Sequence, residues 1–178
     1  QMCIRDRPDV DAGRFTAKRI IHRPVTIRAD IVCDGHDELS CSLHIRPPNT
    51  TSWTTLPLTL IGNDRWEAEF TPDQLGIWEF TVSGRVDYFD TWRRDLTRRK
   101  EHGEDLQGAF AEGCRMIERI IKLGLPVVTE ELIRFQNALQ KPEGYRVACN
   151  QKLAALMASN ADRAHETWLE QPRRLRVD

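Results

Sequence analysis

Two periods divide this chain, and together they predict a β-sandwich with an inserted or appended α-helical bundle. Apolar residues alternate with polar ones over the first half, as on half-buried strands. From about Asp90 they recur every three to four residues, as on buried helical stripes. A short alternating run, RRLRVD, then closes the chain. It suggests that the chain leaves the sandwich after Asp90 and returns near Arg173, although a sandwich followed by a separate helical domain fits the same pattern.

The stretch from Gly62 to Leu96 contains the change of period. Trp66, Ala68 and Phe70 share one strand face. After the turn-rich TPDQLG, Trp78, Phe80, Val82, Gly84, Val86 and Tyr88 share another. Upstream, Val25 to Cys33 reads as a strand with Val25, Ile27, Ala29, Ile31 and Cys33 on one side. Cys41 to Arg46 follows the polar DGHDELS. Trp53 to Leu60 follows PPNTTS, and because Pro57 lacks a ladder donor this strand belongs at a sheet edge. GND is a tight-turn signal. PDVDAGRFTAKRII reads as an entry loop, and the opening QMCIRDR fits nothing downstream. The expected partition is a non-native tail over 1–7, a sandwich over 8–90 and 171–178, and helices over 91–170.

Within the helical half, Glu104 to Leu123 is the clearest helix, with Leu106, Phe110, Cys114, Ile117 and Ile121 on one stripe. Glu104 and Asp105 suit its positive end, and Gly124 and Pro126 stop it. Thr129 caps a second helix carrying Leu132, Phe135 and Leu139. Tyr145 to Met157 is a third. Asn160 opens a last one with Ala161, Ala164 and Trp168, ended by Pro172.

The 178 residues suffice for one large or two small domains. A net charge of −1 gives no long-range attraction for nucleic acid or an anionic membrane, and no apolar run is long enough to span a bilayer. Five cysteines, an odd number without tight spacing, argue against a disulfide framework and for a reduced cytoplasmic protein. A Cys33–Cys41 bridge across a hairpin is the disfavoured exception.

Catalytic and metal signatures are not found. The five histidines stand at no ligand spacing such as HExxH, and no cofactor or metal is expected. There is no GxSxG, phosphate-binding glycine loop or Cys–His signature. The basic run Trp92 to Lys100 reads first as a solvated helix face. Yet Tyr88, Trp92, Arg93 and Arg94 combine aromatic and arginine groups of the type that dominates interfaces, and they are the interface candidates. Trp66 and Trp78 read as core. Trp53, at a turn, is the sugar-stacking candidate.

The segments DAGRFTAKRII, ADIVCDGHDEL, GNDRW, GIWEFTV and VDYFDTWRRDL carry a resemblance. In this order and spacing, over Pro8 to Asp178, the chain resembles the amino-terminal region of the α-1,4-glucan:maltose-1-phosphate maltosyltransferases of the α-amylase superfamily. The resemblance implies an immunoglobulin-like sandwich with an inserted helical bundle. It also implies a (β/α)₈ barrel elsewhere in the protein, a homodimer, and transfer of maltosyl units from α-maltose 1-phosphate to an α-1,4-glucan with retention. Retention requires two carboxylates about 5 Å apart, which such enzymes place on barrel loops. No catalytic residue is therefore carried over, and this stretch is expected to dock the barrel and to dimerise. A free-standing carbohydrate-binding module, or an interaction module without sugar affinity, are the alternatives. The first needs a row of exposed aromatics and the second an exposed apolar patch.

Overall fold

The computed structural model describes residues 2–7, 16–124 and 126–178. The chain forms two compact units, Gln1–Val86 with His165–Asp178, and Asp87–Ala164. The expected boundaries at 90 and 171 thus move to 86 and 165. No helix among the described residues is long and apolar enough to cross a membrane.

The first unit is built from two sheets. Its strands are β1 (Met2–Arg7), β2 (Ala17–Arg19), β3 (Val25–Cys33), β4 (Leu39–Arg46), β5 (Thr54–Pro57), β6 (Thr59–Gly62), β7 (Arg65–Phe70), β8 (Gly76–Val86), β9 (Thr167–Trp168) and β10 (Arg173–Val177). One sheet has the order β1-β3-β7-β6, the other β2-β10-β8-β4-β5, and β9 also pairs with β8. Alternation sends Ile27 and Ile31 from β3, Leu43 from β4, and Trp78, Phe80 and Val82 from β8 into one core. Phe80 and Leu43 are essentially inaccessible to solvent. Removing a side chain such as Phe80 costs about 3–5 kcal/mol, comparable to the whole margin of a small domain.

Three expectations change in this unit. Residues 1–7, expected as a non-native tail that takes no part in the fold, include a strand: Met2–Arg7 pairs antiparallel with β3, from Met2 opposite Cys33 to Arg7 opposite Arg28. The reason is an open edge on β3 together with apolar Met2 and Ile4, which pack on the core. Gly84 on β8 makes the room, since a Cβ there would lie 2.9 Å from Met2 Sδ. The strand expected over Trp53 to Leu60 is two strands in different sheets, broken at buried Leu58. Pro57 does lie on an edge strand, β5, and Pro57 pairs with Ser42. Of the entry loop expected over PDVDAGRFTAKRII, residues 8–15 lie outside the described residues and Ala17–Arg19 forms a strand, β2, paired parallel with β10. The GND signal forms the β6–β7 hairpin, with Asn63 and Asp64 both at positive φ, as a two-residue turn of the favoured hand requires. No Cys33–Cys41 disulfide forms. All five cysteines are free thiols.

The second unit holds α1 (Tyr88–Glu101), α2 (Gln107–Lys122), α3 (Pro126–Leu139), α4 (Gly144–Ala148) and α5 (Gln151–Ser159). Its own core contains Trp92, Leu96, Phe110, Ile117, Leu132, Leu139 and Leu153. Capping explains where the boundaries depart from the expected ones. Asp87 accepts a hydrogen bond from Asp90 N at 2.9 Å and starts α1, so Tyr88 opens a helix instead of ending the β8 face. Asp105 accepts from Gln107 N, which delays α2 to Gln107. Pro126 begins α3, a position where its missing N–H costs nothing, so Thr129 falls within the first turn and not at the cap. Asn150 caps α5 through Lys152 N and Leu153 N, dividing the helix expected over Tyr145 to Met157. Asn160 closes α5, with its Nδ2 donating to Leu156 O. The expected last helix with Ala161, Ala164 and Trp168 is absent, and Trp168 lies in β9.

Candidate functional site

The outward face of the six-stranded sheet carries the densest polar constellation. On β4 the alternation that buries Cys41, Leu43 and Ile45 turns Ser42, His44 and Arg46 outward. On β8 the same rule turns Ile77, Glu79, Thr81, Ser83 and Arg85 outward. Register sets these residues in rows. Ser42 faces Ser83, His44 faces Thr81, and Arg46 faces Glu79. Thr55 faces His44 from β5, and Trp168 faces Ser83 from β9.

A hydrogen-bonded chain crosses this face. Ser83 Oγ donates to Glu166 Oε1 at 2.7 Å. His44 Nε2 lies 2.8 Å from Ser83 Oγ, and His44 Nδ1 lies 2.9 Å from Thr55 Oγ1. Because the serine proton points to the carboxylate, His44 Nε2 donates to the serine oxygen. The order is therefore Glu–Ser–His, not the Ser–His–Glu order in which an imidazole takes the proton of a nucleophile. Ser83 is also 0 % exposed and His44 4 % exposed. The arrangement clamps the returning segment Glu166–Trp168 onto β4 and β8; it does not activate a nucleophile. On the opposite side of the sheet, burial pushes the Cys41 thiol from the ordinary 9.0 up to about 12, with Arg85 opposing and Glu166 adding to the shift. A thiol so protonated is a poor nucleophile.

The tryptophans of this face are backed by two successive outward residues of β4. The Trp168 ring lies 4.4 Å, centroid to centroid, from His44 and is tilted by 30°. The Arg46 guanidinium lies 4.7 Å over the Trp53 ring, an attractive cation–π arrangement. Arg46 is also paired with Glu79, which Arg174 approaches at 3.7 Å. Trp53, expected at a turn, is 37 % exposed, and Trp168 is 49 % exposed.

The other expected site residues lie in the helical unit and play different parts. Trp92 is only 6 % exposed. Its indole N–H donates to Ala109 O at 2.9 Å, and it belongs to the helical core. It therefore does not present its ring to a partner. Its spacing with Leu96, read from sequence as a helical pair, marks the buried stripe of α1. Arg93 Nε donates to Ala148 O at 2.9 Å, and its Nη2 reaches Cys149 O at 3.3 Å. Those are the carbonyls at the end of α4, so Arg93 fastens α1 to α4. Tyr88 is strongly exposed and Arg94 is exposed. Tyr88 lines a cleft of about 510 Å³ between α1 and α2, together with Arg98, Arg115, Arg119 and Met116. No group of three His, Cys, Asp or Glu able to hold a metal ion occurs among the described residues.

His44, Ser83 and Glu166 were not singled out from the sequence. A signal existed in the outward positions of β4 and β8, where Ser, His and Thr stand in place of the Lys and Glu typical of a solvated face. That composition marks a covered, hydrogen-bonded face. Glu166 and Trp168 had no such signal, because their position depends on where the chain returns to the sheet.

With these features in place, similarity to known proteins gives the family. A family profile described as "Alpha-1,4-glucan:maltose-1-phosphate maltosyltransferase, domain N/S" matches residues 2–178. A maltosyltransferase of that name from Chlorobaculum tepidum is 39 % identical over 111 residues, covering 62 % of this chain and 17 % of the relative. One from Myxococcus xanthus is 30 % identical over 169 residues, 88 % of this chain and 25 % of the relative. One from Corynebacterium pseudotuberculosis is 27 % identical over 178 residues, 97 % of this chain and 25 % of the relative. The chain thus spans a quarter or less of the length of these relatives. On the match across nearly all of its residues, the chain belongs to the α-1,4-glucan:maltose-1-phosphate maltosyltransferase family, in its N/S domain region.

Proposed function

We propose that this chain is the non-catalytic amino-terminal region of an enzyme moving maltosyl units from α-maltose 1-phosphate to α-1,4-glucans. In this reading it is an immunoglobulin-like sandwich with an inserted helical bundle, working in the cytoplasm without a cofactor. Its task is to dock the catalytic barrel and to dimerise. The family match to the N/S region supports the enzyme assignment. The observation that carries the docking role is the α2–α3 turn. There Leu123 is 54 % and Val127 92 % exposed, whereas Phe110, Cys114, Ile117 and Ile120 of α2 are buried. Apolar side chains held at a helix–helix turn and left in water mark a contact surface. Tyr88 and Arg94 extend the candidate contact surface, whereas Trp92 and Arg93 support it from within by holding the helices together.

Sedimentation velocity of the chain across the micromolar range tests this role. The parent should self-associate with rising concentration. The doubly substituted Leu123→Asp, Val127→Asp chain should remain a monomer, since the change puts charge into the contact. A parent that is monomeric throughout, or association unchanged in the double variant, contradicts the proposal.

A further inference from the structure

We propose that the outward face of the six-stranded sheet is a saccharide-binding platform, with Trp53 and Trp168 as its two stacking rings. This goes beyond the docking role and stands or falls separately from it. The sequence offers one exposed aromatic for such a surface, Trp53. The structure supplies the second, because the segment read as a helix returns to the sheet as β9 and brings Trp168 to the same face.

The placement follows from register. Arg46 and His44 are successive outward residues of one strand, so their positions are separated by roughly 7 Å along β4. Each holds one tryptophan ring, Arg46 at 4.7 Å and His44 at 4.4 Å. Both rings are therefore fixed by the sheet, one surface against its support. With Trp53 37 % and Trp168 49 % exposed, ring surface remains open to solvent. Fixed aromatic surface lowers the ordering cost of binding. His44 is itself held by Ser83 and Thr55, so the support of Trp168 does not swing away.

Charge selects the class of ligand. The outward face carries Arg46, Arg85, Arg174 and Arg176 together with Glu79, and Glu166 reaches it through Ser83. Glu79 is engaged by both Arg46 and Arg174, and Glu166 accepts from Ser83. Arg85 is buried and Arg176 is paired with Asp178, so the charges of this face are engaged within the chain and give an anion or a cation little reason to bind. A neutral chain of pyranose rings presents apolar ring faces to the indoles and hydroxyl groups to the carboxylate and guanidinium edges. Two fixed rings favour an oligosaccharide over a monosaccharide, because a single pyranose ring stacks on one indole at a time.

Isothermal titration of the 178-residue chain with maltoheptaose and with glucose tests this, with circular dichroism as the check of folding. Saturable binding of maltoheptaose is expected, at least about tenfold tighter than glucose. Trp53→Ala should weaken it at least about tenfold, as loss of a central aromatic contact does. Trp168→Ala should do the same. If Trp168→Ala disturbs the clamp, Trp168→Leu keeps apolar cover on His44 while removing the aromatic ring. Ile133→Ala, an exposed position in the other unit, should bind as the parent does. A folded parent with no saturable binding overturns the proposal, as does binding unchanged by Trp53→Ala together with Trp168→Leu. Self-association lost in that double variant, without sugar binding by the parent, would assign the face to protein contact and equally overturn it.

Discussion

Trp92 occupies the space that a side chain on Gly113 would need. A Cβ at position 113 would lie 2.5 Å from Trp92 Cζ2 and 3.0 Å from Leu139 Cδ2, so α1, α2 and α3 meet at this glycine. Alanine favours a helix over glycine by up to about 1 kcal/mol, but forced overpacking costs about 1–3 kcal/mol. Gly113→Ala should therefore lower the melting temperature of the chain. In a Trp92→Leu background, where the ring is gone, the same change should cost less or become stabilising. Thermal unfolding of the four chains of this cycle measures the coupling, and equal costs in both backgrounds would refute the contact.

The three most buried tryptophans differ in one atom's environment. Trp78 Nε1 donates to Gln74 O and Trp92 Nε1 to Ala109 O, both within 3.0 Å. Trp66 Nε1 is buried without a hydrogen-bond partner among the described residues, a state that carries a desolvation cost. Trp66→Phe should accordingly be the mildest of the three Trp→Phe changes. Trp78→Phe and Trp92→Phe should each lose about 1–3 kcal/mol more, since each strands a carbonyl and removes ring volume. Denaturant midpoints rank them, and a Trp66→Phe chain as unstable as the others would show that its N–H is satisfied in solution.

Cys41 gives a pH signature. Its thiol is held at about 12 against an ordinary 9.0, chiefly by burial. The folded state therefore binds this proton more tightly than the unfolded state. The stabilisation is complete below pH 9 and is lost as pH rises from about 9 to 12. Cys41→Ala should flatten that fall in stability relative to the parent. Alkylation of the native chain at pH 8 should label the exposed Cys3 and Cys149 and spare Cys41. Rapid labelling of Cys41 in the folded chain would contradict the burial.

Much of the core is legible in single strands and helices. Val25 to Cys33 matches β3 to the residue, and the α2 stripe from Phe110 to Ile117 is buried as its spacing requires. Local alternation is enough there because each residue's face follows from its neighbours. Boundaries set by one side chain are less legible. Asp87, Asp105 and Asn150 each accept a backbone hydrogen bond, and any of several nearby polar residues has the chemistry to do so. Least legible is the candidate site. Its aromatic and polar residues come from β4, β8 and β10 and from the segments around β5 and β9, with 83 positions between the partners of the Ser83–Glu166 bond alone. Trp92 reads correctly as part of a helical pair with Leu96 but misleads as an interface residue, because amphipathic spacing marks the buried side and not its partner.

The Glu166–Ser83–His44–Thr55 chain is a clamp, so breaking its middle should cost more than breaking its end. Ser83→Ala removes one hydrogen bond from each of two partners, buried His44 and half-buried Glu166, and about 1–3 kcal/mol of stability should be lost. Thr55→Val removes only the terminal partner and should cost less. Hydrogen exchange at Leu169 N, which donates to Val82 O at 2.9 Å, should accelerate in Ser83→Ala as the return segment loosens. Unchanged protection there would show that the network does not hold β9 in place.

The non-catalytic reading of this N/S region is tested most directly by phosphate release from α-maltose 1-phosphate, with a short malto-oligosaccharide as acceptor. The purified 178-residue chain should release phosphate no faster than a buffer blank. Turnover above the blank, abolished by replacing a carboxylate of this chain such as Glu166→Gln, would contradict the account.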